Sequence, residues 1–353
     1  MKPAIAFAQV PGFYAQVERA DDPTLHRRPV LVGGDPRKRG TVLSASPEAV
    51  AAGVAVGMPV REALERCPQA RLIKTNMARY REVSGQLRAC LRNAVDALEP
   101  MGLEAAFLDI TWESRAPEEI AHDLGRRVRE QLGVSLRVGI AAVKFLAKLA
   151  AEEAGPSGVR RIEAREESSF LAPLSVTRLP GVGPKTAATL HALGASRVGE
   201  LLGLDREALE VALGNHGLRI LEYARGEDDS PVSAARHPKS LSREYTFDEA
   251  QLDIGVLWER LQGLAQALET ALLRDGLQAA RVAIKLRYEE QDATTRSCTL
   301  SRPATASAEI YRAATDLLDR TQAGSRPIRL VGLTLSGLES GVLTDRQLEL
   351  FQE

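Results

Sequence analysis

Cysteine is scarce in this chain of 353 residues. The three present, Cys67, Cys90 and Cys298, are odd in number and show no Cys-x-x-Cys spacing, so neither a disulfide framework nor a zinc site is indicated. The five histidines are scattered, with no His-x-x-x-His pair, which also speaks against zinc. Long apolar runs are missing. No segment approaches the roughly 18 residues a membrane span needs, and the apolar stretch within residues 1–7 is too short for a signal peptide. A cytoplasmic protein without membrane contact is expected. A basic excess is missing as well. The net charge is -1, whereas dedicated nucleic-acid binders often carry a large positive surplus. Charge can still be sorted onto one face, so DNA binding stays open, but composition lends it no support.

What is present is ordinary for a soluble globular protein, with 44% hydrophobic and 26% charged residues. The length suggests roughly two to four domains. Residues 4–10 read as a first strand, 29–33 as a buried strand ending in a Gly-Gly-Asp-Pro turn, and 41–44 as its hairpin partner. Short helices are expected at 47–56 and 60–66. Val83, Leu87, Leu91 and Val95 recur every four residues and predict an amphipathic helix over 78–98. A strand at 103–110, a helix at 117–132, a strand at 134–140 and a helix at 143–154 indicate an α/β or α+β layer domain. From about 171 to 229 the pattern is short helices with Gly-rich joints, followed by a polar, Pro-containing linker. Then come a strand (241–247), a helix (256–274), strands (281–288 and 294–300), a helix (306–322) and a strand (327–335). That β-α-β-β-α-β order is a ferredoxin-like signature. Residues 341–353 form a tail.

Leu179-Pro180-Gly181-Val182-Gly183-Pro184-Lys185-Thr186 precedes a helix. Glycines let the backbone approach a phosphate, and helix N-terminal N–H groups attract anions. The stretch resembles a helix-hairpin-helix motif, which grips DNA phosphate without reading bases, and Lys185 adds a cation. The alternative is a plain Gly-rich turn. It is not a Walker loop, because the GxxxxGK[ST] spacing is absent.

Further runs carry a wider resemblance. Phe13-Tyr14-Ala15-Gln16-Val17-Glu18, Pro29-Val30-Leu31-Val32, Gly53 through Pro59, Phe107-Leu108-Asp109-Ile110, Gly139-Ile140 and Leu146-Ala147-Lys148-Leu149-Ala150 resemble ordered segments of the Y-family (DinB/UmuC-like) DNA polymerases. Lys239-Ser240, the run Ala283 to Tyr288 and Thr295-Arg296-Ser297 resemble that family's little finger. The resemblance covers nearly the whole chain. It implies an α+β right-hand polymerase fold with a C-terminal ferredoxin-like little finger. The implied parts are palm at 1–19 and 78–170, fingers at 20–77, helix-hairpin-helix thumb at 171–230, linker at 231–239, little finger at 240–338 and clamp-binding tail at 339–353.

The resemblance also shows where this chain departs. Polymerases hold two metal ions with carboxylates, which the family supplies from an Asp-x-Asp on the first strand and an Asp-Glu pair at a palm turn. Here those positions read Gln9, Pro11, Glu104 and Ala105. Asp109 is expected to point to the face opposite Glu104. A Tyr and an Arg that contact the triphosphate are replaced by Pro47 and Val50, and a Lys by Gly155; Phe13 and Tyr14 are the remaining candidates for a nucleotide pocket. The expectation is therefore a non-catalytic member, closest in type to the ImuB-like subunit of bacterial mutasomes, with no metal and no cofactor. The alternative is an active, error-prone translesion polymerase with atypical ligands, which would need Mg²⁺.

The chain ends in Gln347-Leu348-Glu349-Leu350-Phe351, which resembles a bacterial sliding-clamp peptide. Leu348, Leu350 and Phe351 would be anchors and Gln347 a directional hydrogen bond; alternatively the segment tucks onto the core. In the little finger, Lys285 and Arg287 share one strand face, and Thr295 and Ser297 alternate likewise. With Gly181, Val182, Gly183, Lys185, Thr186, Lys239 and Ser240 they form the expected DNA-binding set, without sequence preference. An ordinary solvated face is the alternative for the strand residues. The ImuB-like type implies a RecA-like protein and an error-prone replicative-type polymerase as partners.

Overall fold

Strand β1 (Ile5–Gln9) sits at the centre of a five-stranded sheet because both of its faces are apolar. The chain then leaves this sheet for a smaller one made of β2 (Val30–Gly33), β3 (Val42–Ala45) and β4 (Arg71–Lys74), in the order β3-β2-β4. It returns with β5 (Ala97–Met101), β6 (Ala105–Asp109), β7 (Arg137–Ala141) and β8 (Val159–Arg161), giving the order β5-β6-β1-β7-β8. The fold is seen in a computed structural model, which describes residues 3–95, 97–233, 238–290 and 292–340.

The period of two sorts side chains onto the two faces of the large sheet. Ala6, Ala8, Leu108, Val138 and Ile140 meet the helices Met77–Arg92 and Pro117–Leu132 through Leu87, Leu91, Leu124 and Val128. Ile5, Phe7, Phe107 and Ala141 meet the helix Lys144–Glu153 through Phe145 and Leu149. Gly139 permits that approach: a Cβ there would stand 2.0 Å from the Ala147 carbonyl oxygen.

The amphipathic helix expected over 78–98 ends at Arg92, and the chain turns there into β5. β5 is an edge strand, so Pro100 costs the ladder nothing. The strand expected over 103–110 starts only at Ala105, because Gly102, at φ +67°, makes the turn before it. β4, β5 and β8 have no counterpart among the expected strands.

A group of short helices follows, Pro184–Ala192, Val198–Leu201, Arg206–Leu213 and Asn215–Ala224, packed through Leu190, Leu201, Leu209 and Ile220. One buried ion pair ties the large sheet to the chain after them. Lys144 Nζ donates to Glu99 Oε2 at 2.9 Å and to the Pro231 carbonyl at 3.0 Å, and the Ser233 N–H donates to the same Glu99 oxygen at 3.1 Å.

The chain divides into two units, residues 1–235 and 236–353. The second holds β9 (Ser240–Gln251), β10 (Leu277–Tyr288), β11 (Ala293–Ala304) and β12 (Ile328–Ser340), in the order β11-β10-β12-β9. Helices Ile254–Asp275 and Ser307–Leu318 cover one face over Ile284, Leu286, Val331 and Leu333. The other face is open and polar.

Candidate active site and nucleic-acid interface

Antiparallel pairing brings the positions of interest to one end of the large sheet. Gln9 lies opposite Ala105 on β6 and opposite Arg137 on β7. The Val10 N–H donates to the Glu104 carbonyl at 2.9 Å, so Glu104 belongs to the same end. Asp109 pairs with Ile5 at the far end. It shares the face of Ala105, four residues along the strand, or about 13 Å. Distance along the strand adds to the opposite-face orientation expected of it in keeping it from Glu104.

Each side chain at this end has a role the fold assigns. Gln9 Oε1 accepts from Arg137 Nε at 3.0 Å and also from a terminal guanidinium nitrogen. The Pro11 carbonyl accepts from Gln16 Nε2 at 2.7 Å, while Gln16 Oε1 takes the Ser135 N–H. The one oxygen Pro11 could offer a ligand thus already accepts one hydrogen bond. Ala105 is buried. Burial pushes the Tyr14 hydroxyl up from its ordinary value, and the Glu104 carboxylate adds to the shift. Phe13 is buried and its ring meets Tyr14 at 5.5 Å; Tyr14 in turn meets Tyr80 at 4.6 Å with the rings tilted by 45°. The Phe13–Tyr14 pair is therefore largely engaged in packing.

Pro47 opens the helix Pro47–Ala51, where a missing N–H costs nothing, and Val50 is 56% exposed. Neither side chain can bind a phosphate. Gly155 follows the helix Lys144–Glu153 at φ +73°, a helix-ending conformation that glycine adopts without strain. Arg137 is the residue that sequence reasoning missed. It is the charged position on a strand whose alternate residues, Leu136, Val138 and Ile140, are buried.

In the helical region Gly181 takes φ +79°, Val182 is buried beneath the loop, and Gly183 caps the helix Pro184–Ala192. His216 Nε2 bonds the Gly181 carbonyl at 3.1 Å and ties the loop to the helix behind it. The N–H groups of Lys185 and Thr186 fall in a first turn without intrahelical partners, and Lys185 is exposed. The loop has the shape of an anion cradle.

In the second unit Lys239 and Ser240 are exposed at the start of β9. Lys285, Arg287, Thr295 and Ser297 all lie on the open face, with Lys285 opposite Thr295. Lys285 is already engaged: its Nζ meets Glu244 Oε1 at 3.0 Å, reaching over Gly332 on the strand between. Gln347, Leu348, Leu350 and Phe351 lie outside the described residues.

Residues 9–152 match the impB/mucB/samB family, 165–195 the IMS family HHH motif, and 238–350 the impB/mucB/samB family C-terminal domain. A protein named DNA polymerase IV from Halorhodospira halophila (strain DSM 244 / SL1) is 38% identical over 331 residues, 93% of each chain. Another so named, from Listeria monocytogenes serotype 4b (strain CLIP80459), is 34% identical over 96% of each. The chain belongs to the Y-family DNA polymerases. A solved "Y-family DNA polymerase chimera Dbh-Dpo4(243-245)-Dbh" shares the fold with TM-score 0.85 at 24% identity, over 95% of this chain and 98% of that one. The "Insertion ternary complex of Dbh DNA polymerase" matches with TM-score 0.69 over 94% of this chain and 98% of that one. The fold is thus the mixed α+β Y-family polymerase fold with the family's C-terminal domain.

Membership corrects two expectations. The first is the absence of a cofactor: the relatives are DNA polymerases, enzymes of a Mg²⁺-dependent class, so a Y-family chain calls for the ion. The second is the ranking of functions, since the relatives' names back the polymerase alternative ahead of the adaptor. The residues at the sheet end nevertheless fit a two-ion centre poorly. Gln9 and Ala105 offer no carboxylate, Pro11 offers only a carbonyl that already accepts a hydrogen bond, and Glu104 is the one carboxylate of the four positions. Among the described residues no three His, Cys, Asp or Glu side chains gather as a metal site. Among them, too, no helix is long and apolar enough to cross a membrane.

Proposed function

We propose that this protein works on primed DNA in translesion synthesis. The observation that carries the reading is end-to-end membership of the Y-family, with relatives named DNA polymerase IV aligned over more than nine-tenths of the chain. Those names favour a DNA-directed DNA polymerase. The Gly181–Gly183 loop supports a grip on the phosphate backbone, and the Lys285 and Arg287 face supports a second contact. Both contacts are indifferent to base sequence.

A second reading stands on a specific observation, the substitution of Gln9, Pro11 and Ala105 at the expected ligand positions. On it the protein engages primer-template and the sliding clamp and leaves bond formation to another polymerase. The tail peptide at Gln347 to Phe351 would supply the clamp contact under either reading. A RecA-like partner and a replicative-type polymerase draw no support from the relatives' names.

Primer extension by purified protein, with Mg²⁺ and then Mn²⁺, separates the readings. Nucleotide addition that disappears in Glu104→Ala upholds the polymerase. Retained primer-template binding with no extension under either ion upholds the second reading, and loss of DNA binding ends both. The same preparation carrying Leu350→Ala and Phe351→Ala should bind clamp about 100-fold more weakly; unchanged clamp affinity removes the tail from the proposal.

A further inference from the structure

The end of the large sheet that lacks carboxylates holds an arginine instead. Arg137 opens β7 directly across from Gln9, and both bonds it makes go to one neutral amide oxygen. Gln9 therefore orients the guanidinium without compensating its charge. A Glu at position 9, equal in length to Gln, would do the opposite, placing a carboxylate oxygen where Gln9 Oε1 meets the guanidinium and cancelling the cation. Arg137 has no ion pair of its own among the described residues. Glu152, the carboxylate whose charge reaches Arg137, is itself paired with Arg178. Burial pulls the Arg137 guanidinium below its ordinary value, with Glu152 opposing, yet an arginine remains cationic throughout the accessible pH range.

A guanidinium has five donors, and the two bonds to Gln9 leave part of the fork free. Among the described residues one terminal nitrogen has no hydrogen-bond partner, and it still reaches solvent. A half-buried cation that is oriented, partly desolvated and short of an anion is matched to an oxyanion ligand. Its position is also suggestive. The Val138 N–H donates to the Gly158 carbonyl at 3.0 Å, which sets the turn beginning at Gly155 beside the start of β7. Gly155 is where the resemblance implies a lysine. The positive charge missing from that turn is present one strand away.

We propose that Arg137, positioned by Gln9, is a phosphate-binding site at the ligand end of the sheet. Its ligand is a phosphate oxyanion, from the primer backbone or from a nucleoside triphosphate. This rests on the reading that primed DNA occupies this cleft. The site supplies fixed positive charge where the family's carboxylates would gather mobile cations, and it needs no ion to do so.

Binding measured in EDTA tests the site. One arm follows a labelled primer-template by anisotropy across salt concentrations, and the other follows a deoxynucleoside triphosphate by calorimetry. Arg137→Gln keeps an amide donor for Gln9 and removes the charge. Gln9→Glu keeps Arg137 and neutralises it. Both should weaken the responsive arm about tenfold. In the DNA arm they should also flatten the logarithmic salt slope by about 0.9. Arg137→Lys should recover part of the loss. A change confined to the DNA arm assigns the backbone as ligand, and one confined to the nucleotide arm assigns the triphosphate. The site is overturned if Gln9→Glu, with an unchanged melting temperature, leaves both arms within about twofold of the wild type. Wild-type protein that binds no primed DNA ends the proposed function instead, and the nucleotide arm then decides this site by itself.

Discussion

Two ends of the first unit are proposed to meet phosphate, and they differ in what would hold it. At the Gly181–Gly183 loop the ligand would be held by backbone: a left-handed glycine, an open helix cap and first-turn N–H groups. At the Gln9–Ala105–Arg137 end it would be held by side chains, and there the family's side chains have changed while the backbone has not. β1 still pairs in register with β6 and β7, and Phe7 and Phe107 still meet with ring centroids 4.7 Å apart. A fold constrains backbone recognition because the same dihedrals serve both packing and binding. It hardly constrains ligand side chains at a sheet end, where Gln9 and Arg137 can stand in place of carboxylates without disturbing the strand pairing.

The strongest way to break this contrast is to attack the backbone beneath the changed site. Gly139→Ala places a Cβ 2.0 Å from the Ala147 carbonyl. No rotamer relieves a clash with backbone, so a loss of at least about 3 kcal/mol is expected in denaturant unfolding. Near-wild-type stability would mean the helix Lys144–Glu153 can lift from the sheet freely.

The next effect comes from the buried pair. Lys144→Met leaves the Glu99 carboxylate, 1% exposed, without its ammonium partner. Breaking such a pair costs about 3 kcal/mol. Lys144→Met combined with Glu99→Leu should recover most of that, which a thermal melt of the single and double variants would show.

The smallest stability effect sharpens the comparison most. Gly183 has nothing within 4 Å of a built Cβ, whereas Gly181 is left-handed with His216 at 2.7 Å. Gly183→Asp should therefore leave the melting temperature unchanged and weaken DNA binding about tenfold for every sequence. Gly181→Ala should cost about 1 kcal/mol of stability. If Gly183→Asp binds DNA normally, the loop is a plain turn and the contrast collapses.

Legibility in the sequence followed the same division. The Phe13-Tyr14 and Phe107-Leu108-Asp109 runs were enough to locate Gln9, Pro11, Glu104 and Ala105, because strand register propagates from anchors. The helix over 78–98 was extended too far, since Val95 and Leu98 kept its spacing after Asn93 had already capped it. The repeat of buried residues is ambiguous where a helix end meets a strand start. Arg137 was invisible because its meaning lies 128 residues away, in Gln9. The Lys144–Glu99 pair and the Lys285–Glu244 bridge were hidden for the same reason. Each joins segments that only the folded sheet brings together.

The bridge over Gly332 carries a consequence of its own. Because the middle strand has no side chain at that point, Glu244 can reach across and act as a counter-ion that never leaves the protein. A phosphate that takes Lys285 must displace this carboxylate, so the contact is an exchange of one anion for another rather than a capture. Less salt is released to solution than a lone lysine would release. The departing strand also finds its replacement already tethered about one ion-pair distance away. Such a surface would give a phosphate contact there a weaker and less salt-dependent grip than an unpaired lysine.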